Sequence, residues 1–366
     1  MSGPNEHATE STTVSEPNSH ASADRWRALE VVGVSIVGVL GALMIGVITL
    51  DWLRHYPSLG NGPVLLFEQL RIAGMWADHY LGTDVFAHPF MWRSIATGVL
   101  IGIVAPLVGT YLVHRQMALI GETLAHTAFA GVAIGLLVIA VTGFEGSLLL
   151  VALVVSVIGA LGVQWLTERT STFGDVPIAI MLTGSFAIGT LLISWGRGFM
   201  SVSIEIEGFL FGSLSVVSPS GARMMAVLSV AVVAVVIYTY KQLLFITFDE
   251  QAARVAQFNV SGYNTLLVVM TAVVVVGAMQ VLGVILVAGM LVIPVAAATQ
   301  IARSFRETLY LSILFGQLSI GGGFAFAISQ SLPSGGSIIL VAIAIYLVSI
   351  FVSLLAGRSS AAISMH

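Results

Sequence analysis

Ten apolar runs of near-bilayer length, divided by short polar or Gly- and Pro-bearing breaks, set the rhythm of this 366-residue chain. A hydrocarbon core of about 30 Å takes about 20 helical residues to cross. Runs near 29–50, 92–113, 118–140, 147–166, 176–195, 222–240, 263–281, 284–302, 308–330 and 336–357 therefore predict transmembrane helices. The seventh and eighth are weakly divided. Gly277 and Gly283 interrupt one long apolar stretch, and Pro294 is expected to kink the eighth helix. Nine helices, or a re-entrant segment there, are the alternatives. The expected fold is an all-α polytopic bundle of about 9–10 transmembrane helices.

Three stretches fall outside that rhythm. Residues 1–28 open polar and acidic, without the basic region of a secretory signal, and are expected to be a disordered tail. Residues 29–90 carry the first run and then an insertion over 51–91. In it Leu65, Leu66, Gln69, Leu70, Ala73, Trp76 and Ala77 recur at helical spacing, as in an amphipathic helix on a membrane surface. Segment 204–217, with Glu205 and Glu207, is too short to span and is expected to pack on the outer face. The main helical domain is 91–358. With 241–262 placed in the cytoplasm, nine of the fourteen Lys and Arg fall inside and five outside, the direction of the positive-inside rule. Both termini then lie inside a multi-pass protein of the plasma membrane.

Composition narrows the chemistry. Hydrophobic residues are 57% and charged residues 9%, against about 25% charged in soluble domains. There is no cysteine, hence no disulfide, thiolate metal site or iron–sulfur cluster. The one lysine, Lys241, follows Tyr240, so no Gly-Lys-Ser/Thr phosphate loop exists and ATP chemistry must come from another polypeptide. A net charge of −4 gives no reason to expect nucleic acid.

Against that apolar background Glu122 and His126 stand out. Four residues apart, they share one helix face. Carboxylate oxygen plus imidazole nitrogen is a common ligand pair for zinc, manganese or iron, and ionisable groups at membrane depth are costly enough to suggest a functional, polar path. The alternative is a buried helix–helix hydrogen bond or a Glu122–Arg115 pair. Gly121, Ala125, Ala128, Gly131 and Gly135 allow close helix approach under either view. A second candidate is a helix over 249–258, with Thr247 as its cap, Asp249 and Glu250 in its first turn, and Asn259 and Gly262 ending it. It fits a knob for a partner protein or an interfacial helix on headgroups. His55, Asp78, His79, Asp84 and His88 form a third candidate, His79, Asp84 and His88 being placed where metal would enter, though exposed groups of this kind are usually solvated.

Several stretches together resemble the membrane permeases of ABC importers for zinc, manganese and iron. They are Met91-Trp-Arg-Ser94 through Pro106-Leu-Val-Gly109 to His114-Arg115-Gln-Met117, running into Glu122-Thr-Leu-Ala-His126; then Phe209-Leu-Phe-Gly212; then Phe248-Asp249-Glu-Gln-Ala252; and Gly283 through Pro294. Each is weak alone; their order and spacing over residues 91–357 are specific. The resemblance implies a homodimer with two copies of a separate ATPase subunit and an extracytoplasmic solute-binding protein or metal-binding lipoprotein. It implies a coupling helix over 249–258 acting through Asp249, Glu250, Ala252, Arg254 and Val255, and metal held in the path by Glu122 and His126. Pro106, Gly131, Gly283 and Pro294 fall in the helix-kink and packing positions. The chain itself is expected to bind no cofactor and to be no enzyme: the divalent metal is cargo and ATP belongs to the partner. Glu122 stands where the family commonly has Asp, and Ala125 where Ser is usual. Rival expectations are a proton-coupled secondary metal transporter, needing no ATPase, and an ABC permease for an iron chelate. An intramembrane metalloprotease lacks its His-Glu-x-x-His signature here.

Overall fold

The computed structural model describes residues 18–56, 61–143, 147–169, 176–196, 210–212 and 217–363. Among them twelve helices of six residues or more follow one another: α1 Asn18–Leu53, α2 Gly62–Leu81, α3 Pro89–His114, α4 Ala118–Thr142, α5 Leu148–Arg169, α6 Val176–Gly196, α7 Pro219–Phe248, α8 Glu250–Val255, α9 Val260–Leu282, α10 Val287–Thr299, α11 Phe305–Gln330 and α12 Ser334–Ile363. Nine of these are long and apolar enough to cross a membrane; α2, α8 and the 13-residue α10 are not.

Each of the ten apolar runs is helical, the eighth over only Val287–Thr299 and so too short to span, and four further expectations change. The stretch 1–28, expected to lack structure, is helical from Asn18, because α1 continues N-terminally beyond its apolar run; residues 1–17 lie outside the described residues. The helix expected over 249–258 is only Glu250–Val255. Its cap is Asp249, whose Oδ1 accepts from Ala252 N at 2.8 Å, while Thr247 Oγ1 donates back to the Leu243 carbonyl within α7. Asn259 does not end it: Asn259 Oδ1 accepts from Gly262 N at 3.0 Å and so opens α9. Most of segment 204–217 lies outside the described residues.

Helices α3 and α9 are the most enclosed, and the others wrap them. Helix α3 packs against α1, α7, α9, α10 and α11; α9 against α4, α5 and α7 as well. Small residues set these distances. A side chain on Gly109 of α3 would collide with the Leu291 carbonyl of α10, and a Cβ on Gly131 of α4 would stand 2.8 Å from Ala152 Cα of α5. Pro106 and Pro294 lie inside α3 and α10, both buried. Between α9 and α10 the chain breaks at Gly283 (φ +79°), where segment 210–212 crosses: Ile285 N donates to the Leu210 carbonyl at 3.3 Å, and Ser334 Oγ donates to the Val281 carbonyl at 2.7 Å. Non-helical backbone at this depth is stable only because protein groups satisfy it.

Candidate functional site

Helix α4 owes its position to what it lacks. Gly121 leaves room for Leu291 and Ala288 of α10, Gly131 for α5, and Phe129 of α4 packs over Gly189 of α6. Thr123 and Thr127 donate to carbonyls four residues back, Leu119 at 3.0 Å and Thr123 at 2.8 Å, so their hydroxyls are engaged by their own helix. Glu122 and His126 are the remaining polar side chains in the first three turns. Glu122 is exposed, next to the exposed Leu119, and His126 is half-buried with its ring edge-on to Phe186 of α6, centroids 4.9 Å apart. His126 Nδ1 is buried without a hydrogen-bond partner among the described residues. Among the described residues, the buried-hydrogen-bond alternative therefore finds no partner for His126 Nδ1. The Glu122–Arg115 pairing is not formed either, because Arg115 Nη2 donates to Asn264 Oδ1 of α9 at 2.6 Å.

At the end of the bundle that carries α2, the side chains of His79, Asp84 and His88 are all exposed. His79 packs on Tyr80 and His88 stacks on Phe90, ring centroids 5.6 Å apart in each case. No group of three His, Asp or Glu among the described residues is arranged to hold a metal ion. Asp78 has a different task. Its carboxylate accepts from Thr83 Oγ1 at 2.7 Å, Val85 N and Phe86 N at 3.0 Å, and Ala87 N at 2.8 Å, winding the 82–88 loop around itself. Burial alone would raise its pKa, but the donors from Val85, Thr83, Phe86 and Ala87 outweigh burial and bring it down to about 2. His55 Nδ1 is 2.8 Å from the Asp51 carbonyl, and the Asp51 carboxylate lies between Arg54 and Arg93.

At the opposite end, α8 is a single capped turn and a half held by Ala253, which is buried with Ile246 and Val260. Glu250 and Arg254 pair at 2.6 Å along its outer side, and Val255 is 83% exposed. Two contacts not anticipated from the sequence tie this end together: Arg115–Asn264, and Ser261 Oγ donating to Glu168 Oε1 at 2.6 Å. Their partners are far apart in the chain, so no local pattern marks them.

Nine membrane-length helices among the described residues, and no phosphate loop in the sequence, are the build of a multi-pass membrane permease. The chain belongs to the ABC 3 transport family, whose profile matches residues 87–353 and so leaves α1 and α2 outside it. Among its relatives, the manganese transport system membrane protein MntC of Halalkalibacterium halodurans is 28% identical over 270 residues, covering 74% of this chain and 89% of that protein. The high-affinity zinc uptake system membrane protein ZnuB of Haemophilus influenzae is 24% identical over 261 residues, covering 71% of this chain and 97% of that one. The solved structure of PsaBC from Streptococcus pneumoniae in complex with Fab superposes with a TM-score of 0.62 at 29% identity, covering 71% of this chain and 90% of that one.

Proposed function

We propose that this chain is the permease subunit of an ATP-driven importer of a divalent transition metal, zinc, manganese or iron, in the plasma membrane. The observation that carries the proposal is the Glu122–His126 stripe: an exposed carboxylate and an imidazole whose buried Nδ1 has no hydrogen-bond partner among the described residues, one helical turn apart on a face otherwise apolar. A carboxylate facing lipid costs several kcal/mol, so this face of α4 belongs against a polar path. One chain offers two donors; a second copy facing it supplies two more, the ligand number that zinc prefers, and manganese or iron complete their shells with water. A set of this kind binds a dehydrated ion yet releases it, because no rigid cage encloses it.

In this reading α8, capped by Asp249 and exposing Arg254 and Val255, docks on a separate ATPase, two copies serving the dimer, and an extracytoplasmic solute-binding protein delivers the metal. ATP-driven closure of the ATPases moves α8 and tilts the bundle between inward- and outward-open states. The relatives that act on manganese and on zinc support the cargo class without choosing between the metals. The proton-coupled alternative leaves α8 without a purpose. Radiometal uptake by vesicles bearing this chain, its ATPase and its binding protein tests the proposal. ATP-dependent uptake lost in Glu122→Gln and His126→Ala supports it. Uptake that needs no ATPase replaces it with secondary transport, and uptake surviving both substitutions removes the site.

A further inference from the structure

Helix α8 and the Glu122–His126 pair sit on different elements, yet the two flanks of α8 arrive at two consecutive residues, one at His114 and the other at Arg115. On its N-terminal flank Phe248, the residue before the cap, meets His114 with ring centroids 6.3 Å apart and Phe305 with centroids 5.6 Å apart; Phe305 is itself 4.9 Å from His114. On its C-terminal flank the chain turns through Gln257 (φ +61°), is recapped by Asn259 and enters α9, where Asn264 accepts from Arg115 at 2.6 Å. His114 and Arg115 are consecutive, at the C-terminus of α3.

From that corner only Gln116 and Met117 separate α3 from α4. The turn is closed: Gln116 has φ +58°, Arg115 N donates to the Tyr111 carbonyl at 3.1 Å, and Met117 N donates to the Leu112 carbonyl at 2.8 Å. These bonds tie the turn to the last turns of α3 up to Met117, one residue short of α4. His114 Nδ1 is also 2.7 Å from the Thr110 carbonyl, which fixes the ring to α3. Burial works against the Arg115 charge, and the Glu250 carboxylate of α8 works for it. The Asn264 contact involves a charged donor, roughly twice as strong as a neutral hydrogen bond.

We propose that the His114–Arg115 corner is the receiver that carries displacement of α8 to the Glu122–His126 pair, with Arg115 as a positioning residue acting through Asn264. This rests on the reading of α8 as the ATPase-docking helix. The test is ATP hydrolysed per metal ion imported, in proteoliposomes holding the whole complex. Wild type is compared with Arg115→Ala, Asn264→Ala, the double variant and Asn264→Asp. Expected is continued ATP hydrolysis in both alanine variants with uptake down roughly tenfold, about 1.4 kcal/mol of lost coupling. The double variant should be no worse than either single one. Asn264→Asp, which keeps an acceptor for Arg115, should restore the wild-type ratio. An unchanged ratio in the alanine variants overturns the corner, as does loss of ATPase association in both, which would mark a merely structural contact. Wild-type uptake without ATP dependence overturns instead the importer reading beneath it.

Discussion

Asp51, near the end of α1, lies 4.0 Å from Arg93 in the second turn of α3, and the same carboxylate lies 2.8 Å from Arg54. The Arg54 approach to Oδ1 is an ion pair without hydrogen-bond alignment, since that oxygen counts among the buried atoms with no hydrogen-bond partner. Asp51 is 3% exposed, so the two arginines are what make its charge tolerable. The contact joins a helix outside the family-matched region to the first helix within it.

Removing the carboxylate should therefore loosen the extension. Asp51→Ala leaves Arg93, 16% exposed at its side chain, without its ion-pair partner, and should cost on the order of 2 kcal/mol, between exposed and fully buried pairs. A lower melting temperature in detergent, together with faster proteolysis between α1 and α2, would bear this out. An unchanged melting curve for both Asp51→Ala and Arg93→Ala would show that apolar packing alone holds α1.

The Asp78 loop gives a pH dependence with a definite sign. Its carboxyl titrates lower in the folded protein, at about 2, than in an unstructured chain, so its contribution is complete above the ordinary carboxylate range and declines as pH falls toward 2. Hydrogen exchange at the amides of Val85, Phe86 and Ala87 should stay slow at pH 4. In Asp78→Ala these donors lose their charged acceptor, at a cost on the order of 3 kcal/mol, and exchange should accelerate throughout the range in which the wild-type carboxyl is ionised. Equal protection in the variant would mean that Gly74, packed under Phe86, fixes the loop without Asp78.

Helix α8 is too short to persist by propensity. Asp249→Ala removes its cap and should weaken it by about 1 kcal/mol, whereas Val255→Glu places a charge on its most exposed apolar side chain without touching the cap. Co-purification of the ATPase should fall modestly in the first and severely in the second. Full retention in Val255→Glu would move the docking surface elsewhere.

Glu122→Asp shortens the carboxylate arm by one methylene while keeping both donor types. Uptake should persist with an altered ranking of zinc, manganese and iron, measured by competition, whereas Glu122→Gln should abolish it. An identical ranking in Glu122→Asp would show that carboxylate reach does not select the metal.

The long helices were legible because bilayer thickness imposes one length on all of them, and α2 because Leu65, Leu66 and Trp76 keep helical spacing in a polar setting. The bounds of α8 were not. An asparagine between two helical stretches can close one or open the next, and only the Asn259–Gly262 bond decides. The N-terminal reach of α1 was hidden because polar composition lowers burial without forbidding helix. Glu122 and His126 were visible as charges in an apolar run, and their sharing of one face follows from four-residue spacing. Their surroundings were not visible: Phe186 approaches from 60 residues along the chain, and Arg115 turns away to Asn264 because of the α3–α9 packing.

The break at Gly283 has a mechanical corollary. There segment 210–212 is bonded to Ile285 in the α9–α10 break through the Leu210 carbonyl, and Ser334 at the start of α12 is bonded by its hydroxyl to the Val281 carbonyl at the end of α9, so these pieces cannot slide past one another without breaking hydrogen bonds. This seam is a fulcrum. Any rocking of the bundle swings least there and widest at the far ends of the same helices, which is where α8 is attached.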